Sequence, residues 1–144
     1  MDREMAQDIW ISERKDLLQL DRIASLLHGS YWAKNRPADM IRSSIENSIC
    51  FGLYDKEVQI GFARVVTDLV TMYYLCDVIV DEAYRGRGLG KQLVASITSD
   101  SRLEHLHGIL VTEDAHGLYE KFGFVRDPDR TLRKKRTSTT GTDA

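Results

Sequence analysis

Residues 85–91 read RGRGLGK and combine the residue types that bind phosphate groups. Glycine lets an anion approach main-chain N–H groups closely, and the side chains of Arg85 and Arg87 add positive charge beside them. Apolar residues at helical spacing from Leu89 onward predict that a helix begins there, so the unpaired N–H groups of its first turn lie in the glycine segment. The sequence therefore predicts a phosphate site in this turn.

Spacing separates the phosphate-binding patterns that this turn could represent. A Walker A loop needs a glycine five positions before Gly90 and a serine or threonine after Lys91, but Arg85 and Gln92 stand there. A dinucleotide fingerprint needs a third glycine where Lys91 stands. The remaining pattern, Arg/Gln-x-x-Gly-x-Gly/Ala after a strand, is satisfied by Arg85, Gly88 and Gly90.

A second stretch with chemical interest is 112–124, which reads TEDAHGLYEKFGF. Asp114 is placed to cap a helix that begins at Ala115, and Gly123 is placed to end it in the left-handed conformation. In such a helix Tyr119 leans toward the N-terminus, and hence toward the two parallel strands expected beside it.

The elements that must position these groups follow from periodicity. The first strand, 8–12, is edge-like, and short helices at 21–27 and 38–47 follow it. Three antiparallel strands are predicted at 48–54, 59–66 and 73–80, because their connections are too short for a crossover helix. The helix 89–101 and a strand at 109–112 form a parallel crossover, and a further strand begins at Phe124. The predicted fold class is α/β, with a mixed, mostly antiparallel sheet flanked by helices.

Both motifs resemble those of the GNAT family, the Gcn5-related N-acetyltransferases. The first resemblance rests on the turn pattern above, and the second on the family pattern Asn-x-x-Ala-x-x-Leu-Tyr-x-x-x-Gly-Phe. Thr112 stands where the family often has Asn, so the chain lacks the amide that hydrogen-bonds the pantetheine at this position of the family. The other positions are matched by Ala115, Leu118, Tyr119, Gly123 and Phe124. The resemblance covers roughly 8–125 and implies the GNAT-like acyl-CoA N-acyltransferase fold.

This resemblance also implies that acetyl-CoA is the cosubstrate, and it places the residues that contact it. The strand before the turn would line the pantetheine arm through Val78, Ile79 and Val80. The turn would hold the pyrophosphate through Arg85, Gly86, Arg87, Gly88, Leu89, Gly90 and Lys91.

Two residues are predicted to be catalytic. The resemblance assigns Tyr119 as the general acid that protonates the departing sulfur, although a packed ring with its hydroxyl in water also fits the helix spacing. Asp77 interrupts an apolar strand, and burial would raise its pKa toward the range of a useful base. A structural Asp77 that hydrogen-bonds a neighbouring turn is at least as compatible. The other carboxylates that could serve as the base are Glu46, Asp68 and Glu113.

The acceptor side is predicted from the segment between the first two helices and from the central hairpin. In the family these regions determine substrate choice, which makes Tyr31, Trp32 and Arg64 the predicted substrate-binding residues. Aromatic residues in a loop serve binding or pack down on the core, and the sequence leaves both alternatives open.

Composition predicts one domain, 1–125, and a basic tail, 126–144, that is partly disordered. With 42% hydrophobic residues the chain can bury a core, and it has no apolar run long enough to span a membrane. The tail holds six of the 20 basic residues, so the domain itself is acidic. Solvation explains this tail better than nucleic-acid binding. Cys50 and Cys76 are predicted to be reduced, and no spacing indicates a metal site. We expect a cytoplasmic protein.

The predicted function is N-acetyltransfer from acetyl-CoA to a primary amine by direct attack in a ternary complex. No cysteine or serine lies in an activated setting, so an acetyl-enzyme is not favoured. The alternative is a non-catalytic module of the same fold that senses CoA or binds a partner protein. Dimers are common in the family, and the sequence leaves open whether this chain forms a homodimer. The sequence does not identify the amine.

Overall fold

The computed structural model describes residues 3–6 and 8–137, with the main chain alone for residues 3–6. Its strands are β1 (Arg3–Ala6), β2 (Ile9–Ser12), β3 (Ile49–Asp55), β4 (Val58–Thr67), β5 (Met72–Val80) and β6 (His107–Leu110). Its helices are α1 (Leu20–His28), α2 (Ala38–Glu46), α3 (Leu89–Thr98) and α4 (His116–Glu120). Short 3-10 turns occupy Lys15–Leu17 and Glu82–Tyr84.

The described strands form one sheet in the order β1-β2-β3-β4-β5-β6. Neighbouring strands from β1 to β5 pair antiparallel. β5 and β6, which are connected through α3, pair parallel. This arrangement confirms the predicted mixed, mostly antiparallel sheet. The prediction that 8–12 is an edge strand is wrong, because β1 pairs with β2 through partners such as Glu4 and Trp10. β1 was missed because its sequence, REMA, carries no apolar alternation.

Two hydrophobic clusters lie in the sheet and its flanking helices. Leu75 and Val80 of β5 both belong to the cluster that includes α3, whereas Ile79 belongs to the cluster of α1 and α2. Strict alternation would put Leu75 and Ile79 on the same face, so an irregularity must lie between them. The helix side chains buried in these clusters are Leu89, Leu93 and Ile97 from α3, and Ile23, Leu26, Leu27, Ile41 and Ile45 from α1 and α2.

The predicted strand at Phe124 and Val125 does not form. Gly123 has φ 90°, and the Phe124 N–H then turns back to donate to the Tyr119 carbonyl at 3.4 Å. Val125 is 86% exposed, and the described residues that follow it contain neither helix nor strand. The left-handed glycine thus redirects the chain away from the sheet. Within the described residues, no helix has the length and apolar character needed to cross a bilayer.

Candidate active site

The turn before α3 leaves main-chain donors available. Gly88 is the N-cap residue of α3 with φ 75°, and Gln92 donates the first helical hydrogen bond to the Gly88 carbonyl at 3.0 Å. The N–H groups of the three residues between them therefore have no acceptor within the helix. A Cβ atom built on Gly86 or Gly88 would meet nothing within 4 Å, so the space above the turn is open. This geometry fits the binding of an anionic group.

The two arginines of the turn are held by the protein. Arg85 donates through Nε to the Val80 carbonyl at 3.1 Å. The Arg87 guanidinium lies over the Tyr84 ring, 5.1 Å from its centroid, and the Tyr84 hydroxyl donates to Asp55 at 2.6 Å. Both positive charges are thereby kept beside the open amides.

α1 fixes the entry to this turn. Asp81 accepts from the Ala83 N–H at 2.9 Å and from the Arg22 guanidinium at 2.6 Å, and these bonds lower the Asp81 pKa. Arg22 also donates to the Gln59 carbonyl at 2.9 Å. One arginine of α1 therefore connects the start of β4 to the residue that follows β5.

The sheet opens between β5 and β6. Their pairing runs from Met72 with His107 to Leu75 with Leu110, where β6 ends, although β5 continues to Val80. Residues 76–80 consequently have no partner from β6. Apart from the Val80 carbonyl, which accepts from Arg85, their main-chain groups on that side are open to a ligand. The residues predicted to line the pantetheine arm, 78–80, lie in this unpaired part.

A β-bulge occupies the start of the unpaired part. Phe62 pairs with Ile79 and Arg64 with Cys76, so two residues of β5, Asp77 and Val78, oppose one residue of β4. Asp77 has φ 55°, a left-handed conformation that is uncommon outside glycine. This is the irregularity that shifts the side-chain alternation of β5, and it turns the Asp77 carboxylate into the α1 and α2 side.

The Asp77 carboxylate is buried and fully engaged. Trp32 donates through Nε1 to one oxygen at 3.0 Å, whereas Arg36 and Arg64 donate to the other at 2.8 and 2.9 Å. Its side chain is 1% exposed. Burial by itself would raise the pKa of Asp77, but the charges and hydrogen bonds of the two guanidiniums outweigh burial and lower it. The predicted raised pKa is therefore wrong, and a carboxylate in this state is a poor proton acceptor.

Tyr119 lies near the end of α4, partly buried against the cluster of α3. Its ring meets the Phe124 ring edge-on at 6.2 Å. Burial raises the pKa of Tyr119 to about 12, with smaller contributions from Tyr31 and Asp114. No hydrogen bond joins its hydroxyl to another residue of the part of the chain that the structure describes. The phenol is thus protonated at neutral pH.

Tyr31 reaches from the α1–α2 loop toward the segment before α4. Its hydroxyl accepts from the Glu113 N–H at 3.1 Å, its ring meets Trp32 edge-on at 5.0 Å, and it remains 48% exposed. Because Tyr31 also affects the pKa of Tyr119, the two phenols lie in the same region. The loop therefore extends across the side of the opening on which Asp77 is buried.

The other carboxylates that could serve as the base differ in their hydrogen bonds and exposure. Asp68 accepts from the N–H groups of Val70 and Thr71 at 3.0 and 2.8 Å, and these turn bonds lower its pKa. Glu46 ends α2 on the exposed surface. Glu113 is exposed, and its main-chain N–H contacts Tyr31, a residue of the predicted acceptor side.

Asp114 does not cap α4 as predicted. The helix begins at His116, and Ala115 has no side-chain cap. Thr112 instead accepts from the Ala115 N–H through Oγ1 at 3.0 Å. The residue that replaces the family asparagine therefore organises the turn before α4.

Sequence reasoning missed Arg36, which is 3% exposed and lies in the segment before α2. The residue that could have indicated a buried basic partner was Asp77. A carboxylate that stays charged when it is buried in an apolar strand needs a cation, and a basic residue from another element can supply it. The sequence does not say which one, because the two residues are 41 positions apart.

A cavity of about 890 Å³ adjoins the turn 81–87 but does not contain the predicted catalytic or substrate-binding side chains. It opens between the start of β2, the β3–β4 hairpin and the turn. It is lined by Asp8, Ile9, Arg22, Asp55, Lys56, Glu57, Val58, Ile60, Asp81, Tyr84 and Arg87. The region of Tyr31 and Tyr119 is thus a separate part of the surface.

Comparisons with known proteins address the family to which this chain is similar. The profile described as "Acetyltransferase (GNAT) domain" matches residues 46–126. A candidate acetyltransferase of Gibberella zeae is 31% identical to this chain, over 79% of this chain and 77% of the relative. GCN5-related N-acetyltransferase 2, a chloroplastic protein of Arabidopsis thaliana, is 30% identical over 76% of this chain but only 45% of its own length.

Among solved structures, a GNAT-family candidate acetyltransferase from Xanthomonas campestris pv. campestris superposes with a TM-score of 0.84. It is 34% identical, and the match covers 89% of this chain and 93% of that one. Fold and sequence thus define the same class, an acetyl-CoA-dependent transferase. The chain belongs to the GNAT family of N-acetyltransferases.

Proposed function

We propose that this protein transfers the acetyl group of acetyl-CoA to a primary amine by direct attack within a ternary complex. The observation that carries the proposal is where the two motifs lie. The turn 85–91 follows the C-terminal end of β5, and Tyr119 follows that of β6. Because the two strands are parallel, both motifs lie at the same end of the sheet, where pairing stops.

In this proposal the main chain binds and polarises the acetyl donor. The open amides of the turn 85–91 hold the pyrophosphate, and the unpaired N–H groups of 78–80 lie along the arm. An N–H group aimed at the thioester carbonyl stabilises the oxyanion that forms on attack, which is commonly worth about 10²–10³ in rate. The bulge at Asp77 supports this role, because it disrupts the strand next to those groups.

Tyr119 supplies the proton in the second half of the reaction. The amine nitrogen forms a bond to the carbonyl carbon, the carbon–sulfur bond breaks, and the phenol protonates the sulfur. The amine loses one proton in the same reaction. A phenol with a pKa of about 12 is fully protonated beforehand and can donate to a thiolate as it forms.

Asp77 is not the base in this proposal, despite its place in the strand. Its lowered pKa and its three donors leave it little tendency to take a proton. A water chain or the exposed carboxylate of Glu113, beside Tyr31, takes the amine proton instead.

The function is tested by measuring CoA-thiol release from acetyl-CoA against a panel of amines. The enzyme proposal predicts release that depends on the amine and reaches a plateau with its concentration. A module that only senses CoA or binds a partner predicts CoA binding with no amine-dependent thiol. Binding of CoA without turnover on any polyamine, amino acid, aminoglycoside or peptide N-terminus would favour that alternative.

A further inference from the structure

We propose that the acceptor amine carries an anionic group, a carboxylate or a phosphate, that binds the Arg64 guanidinium. This inference rests on the proposed function, because that function makes the opening between β5 and β6 the place of transfer. It adds the chemical class of the acceptor, which neither the fold nor the family specifies.

The buried cluster beside the opening carries excess positive charge. Arg36 and Arg64 both pair with the single carboxylate of Asp77, at 2.8 and 2.9 Å. The side chain of Arg36 is 3% exposed and that of Arg64 is 13% exposed. Two guanidiniums against one carboxylate leave a net charge of one, and uncompensated charge away from water is costly.

The thiols nearest to the cluster do not neutralise this charge. Cys50 and Cys76 both affect the pKa of Arg64. Burial raises their own pKa values to about 11 and about 12, so both remain uncharged at neutral pH. An external anion would therefore supply the missing negative charge.

The cluster has guanidinium nitrogens that Asp77 does not use. Arg36 has a buried terminal nitrogen, NH2, that makes no hydrogen bond in the structure as described. Arg64 uses Nε for Asp77 and NH1 for the Ser48 hydroxyl, at 2.9 and 3.1 Å. Its remaining nitrogen has no partner within the described residues. Because Arg64 retains some exposure, its guanidinium can contact a ligand directly. The more deeply buried Arg36 adds positive charge without contacting the ligand.

The position of Arg64 matches that of an acceptor group. Arg64 pairs in the sheet with Cys76, the residue that follows the last pair of β5 with β6. Asp77 comes next, at the bulge. An anion on Arg64 would hold its amine beside the first unpaired residues of β5, where the proposed reaction occurs.

The test compares matched acceptors on the unmodified protein. Each α-amino acid is assayed beside its carboxamide, and phosphoethanolamine beside ethanolamine, with thiol release as the readout. The anionic member should show a kcat/KM about 10- to 100-fold higher, the range expected for hydrogen bonds to a charged group. The two pairs distinguish a carboxylate from a phosphate.

Arg64→Gln provides the second arm, because it leaves Arg36 paired with Asp77 and the cluster neutral. The variant should lose the preference for the anionic member, mainly through KM, and keep its CoA affinity. Arg42→Gln is the matched control. Arg42 is exposed on α2, so its replacement removes the same charge from a position outside the cluster. The control should keep the preference.

A binding measurement separates this inference from the proposed function. Calorimetric titration of the CoA-saturated protein with phosphoethanolamine, with amino acids and with their neutral partners requires no turnover. Anion-selective binding without thiol release would support the anion site at Arg64 while refuting the enzyme. Equal binding of anionic and neutral members, or turnover that favours polyamines, would overturn the acceptor class and leave the transferase intact.

Discussion

At the scale of single residues, the two predicted catalytic groups have pKa shifts of opposite sign, although burial raises the pKa of each. Tyr119 is partly buried and pairs with no cation in the part of the chain that the structure describes, so its pKa rises to about 12. Asp77 is buried against Arg36 and Arg64, so its pKa falls despite burial. The first is thereby suited to donating a proton, and the second to holding charged groups in place.

Replacing Tyr119 by Phe removes the proposed proton donor and little else. We expect unchanged CoA affinity and a kcat lower by about 10²-fold, the lower range for general acid catalysis. Because the pKa is about 12, the phenol stays protonated from about pH 6 to pH 10. The decrease in kcat, measured by steady-state thiol release, should be the same at every pH in that range.

Tyr73→Phe is the control. It removes the same atom from another tyrosine of the α3 cluster and should retain activity. Equal turnover of Tyr119→Phe and wild type would refute the role.

Replacing Asp77 by Asn leaves two buried guanidiniums without their carboxylate. We expect the free energy of unfolding, measured with urea, to fall by about 3–5 kcal/mol at pH 7. Asp16→Asn is the control, because Asp16 pairs with Arg14 on the exposed surface and its replacement should change the free energy of unfolding far less.

The same pair of proteins gives a pH prediction. The folded-state pKa of Asp77 is lowered, so its contribution is complete above the unfolded pKa and is lost as pH falls through the folded one. The difference in stability between wild type and Asp77→Asn should therefore shrink below about pH 4. A difference that stays constant to pH 2 would refute a lowered folded-state pKa for Asp77.

At the scale of elements, the turn and α3 form one unit because Gly88 permits the left-handed N-cap. Gly90, two positions on, has no unusual φ, and a Cβ there would touch only Val80 at 3.9 Å. The two glycines of the motif therefore serve different purposes. Gly88 fixes the backbone, whereas the motif accepts alanine at the position of Gly90.

Gly88→Ala should cost about 1–2 kcal/mol of stability, because an L side chain is strained at φ 75°. It should also weaken CoA binding, since relief of that strain moves the amides of the turn. Gly90→Ala is the paired variant and should gain about 0.5–1 kcal/mol as a helix residue while binding CoA normally. Thermal unfolding and CoA titration measure both effects. Equal effects from the two substitutions would show that the left-handed conformation is not what the turn requires.

At the scale of the whole molecule, we propose that 1–125 is the folding unit and that the basic tail is dispensable to it. Phe124 still packs against the cluster of α3, whereas the described residues after it are exposed. The ion pair of Arg126 with Glu120, at 3.1 Å, is itself on the surface. Exposed pairs of this kind contribute little.

Truncation after Val125 should change the free energy of unfolding by no more than about 0.5 kcal/mol and leave CoA affinity intact. If the tail binds nucleic acid, the full chain will show affinity that falls steeply with salt and disappears on truncation. We expect no such affinity. A large loss of stability in the truncated chain would place the tail inside the folding unit.

The elements could be predicted because their signals are local. Strand alternation, the polar hairpin and the apolar stripes of α1 and α3 depend on neighbours a few positions apart. The errors arose where local signals were weak or misleading. β1 is held by main-chain pairing rather than by its pattern, and Phe124 has strand-forming character but turns back to pack on Tyr119.

The sequence by itself determined the order of elements from β2 to α4, the glycine turn before α3 and the short helix that carries Tyr119, since each depends on residue type and short spacing. Only the tertiary structure decided where β5 and β6 part, how the bulge turns Asp77, and that Arg36 and Arg64 meet there. Those features are interactions between distant segments, and burial and charge pairing choose among partners that the chain order does not distinguish.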